Sequence, residues 1–275
     1  MTIKDKAWKH EHIQKMLSTT NKLRNKSILL LASSSGIRRG GIPGLRIKDL
    51  EYIEEYGIYQ ITVYPLEEEE YITFCSPECA KMLNGYFEFR KECGEVITDE
   101  SLVIRDDFDR EDENKARNAQ PTTEIAIKNL LEGIVKNAGL EQQHINGSVR
   151  TEIFIAHGHR KFFETNLDRA NLQKTQIEKL MGWGSKRGLF RNYNRRDIEE
   201  LQESYVQAIP YLTINEETRL KSENELLKEK DKRIAHLEKQ VAAIVQAMKK
   251  MRSGDIDEQS EGGDELEDIA QQLLK

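Results

Sequence analysis

Two short runs, Tyr59-Gln-Ile-Thr-Val-Tyr64 and Tyr71-Ile-Thr-Phe74, carry the β-branched and aromatic pattern of strands. Most of the chain around them follows a helical period instead. Only Pro65-Leu-Glu-Glu-Glu-Glu70 joins the two runs, which favours pairing as a hairpin. A sheet that small cannot close a core alone and must be covered by helices. The expected fold class is therefore mainly α with a small early antiparallel β-sheet, an α+β arrangement.

The helical segments can be read in order. Ile13, Met16 and Leu17 form one apolar stripe and Ile28 to Leu31 open a more buried one, so residues 1 to about 35 read as two helices. Ser33-Ser-Ser-Gly36 should break the second, and Pro43 with Gly44 should turn the chain. Ser76 followed by Pro77 reads as a helix start, with Met82, Leu83, Tyr86 and Phe87 on its apolar side. Residues 105–121 are charged and irregular. A helix from about Thr123 to Ala138 would bury Ile125, Ile127, Leu130, Leu131 and Ile134. Ile153 to Ala156 reads as a packing segment.

Beyond residue 213 the pattern changes. Leu220, Leu227, Ile234, Val241 and Met248 recur every seven residues; Leu237, Ile244 and Met251 fill a second position, which Glu223 and Lys230 interrupt earlier. This is the pattern of a coiled coil that strengthens toward its C-terminal half, and it predicts self-association. Residues 254–274 hold eight Asp/Glu and no Lys or Arg, the composition of a disordered tail. The expected organisation is a folded domain over 1–212, a coiled coil over 213–252 and an acidic tail over 253–275.

Composition excludes some classes. No apolar run approaches the length of a membrane span, and the N-terminus lacks the apolar stretch of a signal peptide, so a cytoplasmic protein without a membrane partner is expected. Cys75, Cys79 and Cys93 fit a reducing compartment; no fourth ligand lies near Cys75 and Cys79, so they read as packing residues rather than a metal site. The net charge of −6 is unusual for a nucleic-acid binder. From Thr213 onward there are 11 Lys+Arg against 15 Asp+Glu, which leaves the first 212 residues nearly neutral. One local patch stands out: Lys186, Arg187, Arg191, Arg195 and Arg196 lie between Gly184 and Arg196 with no acid among them. Alone such a run reads as a solvated loop; phosphate contact becomes its expected role where it brackets a nucleophile.

The motifs that carry chemistry are Ser34-Ser-Gly-Ile-Arg38, Ala156-His-Gly-His-Arg160, Leu180-Met-Gly-Trp183 and Tyr193 within the basic run. A distant Arg, a His-x-x-Arg, a Trp in a Leu-x-Gly-Trp turn and a Tyr, in that order, resemble the tyrosine recombinase (phage-integrase) family over roughly residues 8 to 212. Ala32 to Arg38, Tyr71 to Cys79, Ala156 to Phe163 and Leu212 to Glu217 look most like its archaeal integrase-like members, which would place the gene on a mobile element.

The resemblance implies a site and a reaction. Arg38 and Arg160 would hold the non-bridging oxygens of a phosphodiester through forked hydrogen bonds. His157 would move a proton as general base or acid. Trp183 would donate its indole N–H, which cannot transfer a proton. Tyr193 would attack and become linked to the DNA 3′ phosphate. The chain would then be a site-specific recombinase acting on double-stranded DNA as a homo-oligomer, with no cofactor or metal.

Several features depart from the family pattern. The turn Pro65 to Glu70 holds four carboxylates where members place a Lys that protonates the leaving 5′ oxygen. Cleavage is therefore expected to be slow, unless Lys48 or Lys81 supplies the proton. Gly41 stands where many members have an acid, and the interval from Trp183 to Tyr193 is one longer than usual. The chain is also expected to begin at the catalytic domain, without the helical domain that closes the clamp on DNA. A catalytically degraded DNA-binding relative, regulatory or a remnant of an integrated element, is the alternative reading. A relaxing type IB topoisomerase shares the chemistry but fits the motifs less well.

Overall fold

The computed structural model describes residues 6–140, 153–183 and 195–253. Helices α1 (His10–Ser18) and α2 (Leu23–Ser35) precede strands β1 (Leu50–Ile53), β2 (Ile58–Val63) and β3 (Tyr71–Cys75). Then follow α3 (Pro77–Glu92), α4 (Glu113–Arg117), α5 (Glu124–Asn137), α6 (Ile155–Arg169), α7 (Lys174–Leu180), α8 (Arg195–Leu212) and α9 (Glu216–Ser253). The described chain is thus mostly helical with one small antiparallel sheet, ordered β1-β2-β3. The chain divides into two units, Met1–Arg219 and Leu220–Lys275.

The two β-runs pair as anticipated, with Tyr59 opposite Cys75 and Val63 opposite Tyr71. The first strand is an addition to the sequence reading. Leu50 lies opposite Ile61 and Ile53 opposite Ile58, while Glu51 and Tyr52 between them are exposed. Four residues with a polar middle carry no strand signal of their own; they extend because β2 offers an edge to pair with.

α2 is the central element. It packs against α3, α6 and β3 and is buried almost all round, as a core helix must be. Here the expectation of a break at Ser33 is corrected: the helix runs on through Ser35. The hydroxyls of Ser33, Ser34 and Ser35 donate to the carbonyls of Leu29, Leu30 and Leu31 at 2.7, 2.7 and 2.6 Å. Each buried hydroxyl is thereby satisfied within the helix. Gly36 ends α2 in the left-handed conformation at φ +60.

The later helices hold to the sequence pattern with two corrections. Ser76 caps α3 by accepting from the Cys79 N–H, and Thr123 caps α5 by accepting from the Ala126 N–H. On α5, Ile127, Leu131 and Ile134 are buried, but Ile125 is 70 % exposed. It sits in the first turn, off the stripe that faces the core. Residues 105–121 are not wholly irregular either, because α4 lies within them. Buried Arg105 organises this stretch, donating to the Ala116 carbonyl at 2.7 Å and to Glu95 at 2.8 Å. Arg90 pairs with the same carboxylate from the other side. Burial alone would raise the Glu95 pKa, but the hydrogen bonds from the two arginines outweigh it and hold the carboxyl below its ordinary value.

Cys75 and Cys79 are buried. Among the described residues no group of three His, Cys, Asp or Glu could hold a metal ion, and no helix is long and apolar enough to cross a membrane.

In the second unit, the part of α9 beyond Arg219 carries Leu220, Ile234, Leu237, Val241 and Ile244, which are 36 to 58 % exposed. The acidic stretch from residue 254 lies outside the described residues.

Candidate active site

The His157-Gly-His-Arg160 segment forms the first turns of α6, and helical spacing puts His157 and Arg160 on one face. Between them, Gly158 and His159 face inward. The Trp8 indole N–H donates to the Ile155 carbonyl at 2.9 Å, and the Trp8 backbone N–H donates to the Gly158 carbonyl at 3.2 Å. A Cβ on Gly158 would lie 2.7 Å from the Trp8 ring nitrogen, so only glycine admits this contact. His159 is fully buried, its Nδ1 2.8 Å from Ser33 Oγ. Burial lowers its pKa to about 4.

The Leu180-Met-Gly-Trp183 turn ends α7. The Trp183 N–H donates to the Glu178 carbonyl at 2.8 Å and the Gly182 N–H to the Lys179 carbonyl at 3.0 Å. With Gly182 at φ +63, this is a Schellman motif. It leaves the carbonyls of Met181 and Gly182 pointing to two arginines. Arg160 donates to Met181 O at 2.9 Å, and Arg38 donates to Gly182 O at 2.8 Å. Arg160 also donates to the carbonyl of Gly36, the residue that ends α2. The Arg38 guanidinium lies 5.8 Å from the Tyr71 ring centre.

These two cations have no carboxylate partner among the described residues. Burial pulls the Arg160 pKa below the usual arginine value; the Tyr71 phenol opposes this and the Arg38 charge adds to it. Two like charges are therefore held close by backbone carbonyls rather than by acids.

Arg38, His157, Arg160 and Trp183 all line one cleft of about 910 Å³. The four sequence-nominated residues from three distant motifs thus converge. Phe154 is 41 % exposed and lines the same cleft, so the Ile153 to Ala156 segment packs only in part. Tyr193, Lys186, Arg187 and Arg191 lie outside the described residues, and Arg195 opens α8. Arg196 is exposed and sits 3.3 Å from Glu200 one turn along.

The two later tyrosines that could compete with Tyr193 are placed elsewhere. Tyr205 is fully buried and donates to the Ser34 carbonyl at 2.8 Å. Tyr211 does not line the cleft.

Sequence reasoning missed several lining residues: Arg39, Tyr64, Glu124 and Lys128. Arg39 donates from Nε and Nη2 to one oxygen of Glu124, at 2.9 and 2.6 Å. No local motif marks these positions, since they come from three separate elements.

XerH site-specific recombinase bound to its difH substrate, in a pre-cleavage complex, matches with a TM-score of 0.50 at 16 % identity, covering 74 % of this chain and 55 % of that one. XerA recombinase matches at 0.49 and 16 %, covering 72 % and 64 %, and the integrase from mycobacterium phage Brujita at 0.48 and 15 %, covering 75 % and 57 %. This chain therefore spans less than two thirds of each of these structures. No curated protein matches it. The Phage integrase family matches residues 6–200, a stretch that holds every candidate residue from Arg38 to Arg196, and the chain belongs to that family.

Proposed function

We propose that this protein is a site-specific recombinase that breaks and rejoins double-stranded DNA through a 3′-phosphotyrosine. Arg38 and Arg160 hold the scissile phosphate, His157 moves the phenol proton, Trp183 donates its indole N–H to a phosphate oxygen, and Tyr193 is the nucleophile. The basic residues Lys186, Arg187, Arg191, Arg195 and Arg196 contact neighbouring phosphates. Residues 1–212 act as the catalytic domain, and 213–252 join copies as a coiled coil. The quoted motif segments favour the archaeal integrase-like members of the family.

One observation carries this reading. Two guanidiniums without a carboxylate partner among the described residues face a cleft shared with His157 and Trp183. An anion would relieve their mutual repulsion, and donors fixed in advance by Met181 O and Gly182 O need not reorganise as charge builds in the transition state.

The hairpin favours a second reading, a DNA-binding relative without activity. Its tip carries Glu67 to Glu70, and the Glu70 carboxylate accepts from the Leu66 N–H at 2.6 Å, so that one carboxylate is part of the turn.

Both readings can be tested with the full chain and a pool of nicked duplexes of randomised sequence, in which a cleaved strand cannot be rejoined. The expected result is a denaturant-resistant protein–DNA adduct that disappears in Tyr193→Phe while DNA binding persists. An adduct that survives in Tyr193→Phe refutes the nucleophile. DNA binding with no adduct from the wild-type chain selects the second reading.

A further inference from the structure

When a phenol attacks a phosphodiester, the P–O5′ bond breaks and leaves an alkoxide. A proton must reach that oxygen for the step to run well at neutral pH. The cleft residues assigned so far do not provide one. Arginine holds its proton too tightly, an indole N–H does not transfer, and His157 serves the attacking phenol. Lys48 is engaged by both carboxylate oxygens of Glu100 at 2.7 and 2.9 Å, and neither it nor Lys81 lines the cleft.

Tyr64 does line it. It follows the last residue of β2 at φ +55, a left-handed backbone that non-glycine residues seldom adopt. Such strain clusters at functional sites. The side chain reaches across to the segment after Arg38, where a Cβ built on Gly40 would lie 3.4 Å from its hydroxyl. Its ring is 6.5 Å from that of Tyr71, the ring under Arg38. Burial raises the Tyr64 pKa, and among its neighbours Arg38 pulls the other way. The same phenol in turn raises the pKa of Arg160. Tyr64 is thus within electrostatic reach of both cations that would hold the phosphate.

We propose that Tyr64 is the proton donor to the leaving 5′ oxygen. The electron pair of the P–O5′ bond leaves with that oxygen, which takes the Tyr64 hydroxyl proton. The phenolate that remains is stabilised by Arg38 and Arg160. It takes the proton back from the 5′ hydroxyl when that group attacks the phosphotyrosine in rejoining. The proposal rests on the phosphotyrosine reading above.

The test compares the full wild-type chain with Tyr64→Phe, which removes one oxygen. Each is given a cleavable duplex recovered from the random pool and the same duplex with sulfur in place of the bridging 5′ oxygen. A thiolate leaves without a proton. Tyr64→Phe should slow cleavage of ordinary DNA by about 10²–10⁴-fold and leave the sulfur rate unchanged. Equal slowing on both substrates would overturn the proposal, since it would mark Tyr64 as a support for the phosphate or the fold. No slowing on either would also overturn it; slowing in Lys128→Met that is confined to ordinary DNA and relieved by sulfur would then assign the proton to the lysine that lines the same cleft. A random pool that yields no duplex cleaved by the wild-type chain refutes the phosphotyrosine reading itself, and the role of Tyr64 falls with it.

Discussion

His159 should make this fold acid-sensitive. Ser33 Oγ donates its one proton to the Leu29 carbonyl, so it can only accept from the imidazole, which fixes the Nδ1–H form. Nε2 is then bare, buried and without a hydrogen-bond partner among the described residues. Protonating it would put a charge and an unmet N–H into the core. Burial accordingly drops the pKa from 6.5 to about 4. Between those two values the unfolded chain binds a proton that the folded chain refuses. Stability is therefore complete above about pH 6.5 and is lost as pH falls toward 4. One proton is worth about 1.4 kcal/mol per pH unit, so the loss reaches about 3 kcal/mol at pH 4. That is a large share of a typical domain stability of about 5–15 kcal/mol.

The comparison variant is His159→Asn, whose side-chain amide can donate to Ser33 where Nδ1 did but does not titrate. It removes a ring that lies 6.3 Å from Trp8, at a cost of about 1–3 kcal/mol at pH 7. The informative quantity is the pH slope, not this offset. Denaturant unfolding of both proteins from pH 4 to 8, followed by circular dichroism, gives it. Glu95, also held below its ordinary pKa, loses its contribution in acid too, but it does so in both proteins and cancels. The stability gap should close by about 3 kcal/mol between pH 7 and pH 4. Parallel curves would show that the core tolerates the charged imidazole and would refute the argument.

Two further outcomes are expected. Gly182→Ala would set a Cβ 2.5 Å from the Tyr71 ring at a positive φ, shifting the turn that holds both arginines; cleavage should fall on the order of 100-fold, and a rate near wild type would show that the turn does not position them. The exposed heptad residues of α9 should make the full chain self-associate without DNA, so light scattering should give a higher-order mass for it and a monomer for residues 1–219; equal monomer masses refute the coiled coil. The cut is placed after Arg219 because Ile214 is buried and its N–H donates to Glu78 at 2.9 Å.

Local signals explain what the sequence makes legible. Ser76 and Thr123 announce their helices because a cap satisfies N–H groups only three residues away. His157 and Arg160 are readable as one face because a helix fixes their spacing. β1 is not readable, since its pairing depends on an edge supplied by β2. Nor is the extension of α2 through Ser35, because serine favours a helix end unless its hydroxyl turns back to the preceding turn, as three in succession do here. Tyr64 is hidden for a different reason. Its alternation marks it as the end of a strand, and only the positive φ after β2 turns it toward the cleft.

The spread of the motifs along the chain has a physical meaning once the turn after α7 is considered. Arg38 follows α2, and Arg160 lies on α6. Neither helix alone fixes the distance between the two guanidiniums. The Met181–Gly182 turn does, because each arginine donates to one of its carbonyls. The Schellman motif satisfies the carbonyls of Glu178 and Lys179 with the N–H groups of Trp183 and Gly182, and the carbonyls of Met181 and Gly182 accept from the two arginines. Gly182 must therefore be glycine twice over, for its left-handed backbone and for its approach to Tyr71. Trp183, the next residue, enters the cleft from the same turn. One helix end thus sets the positions of three groups that would surround the phosphate, and a change there should act on all of them together.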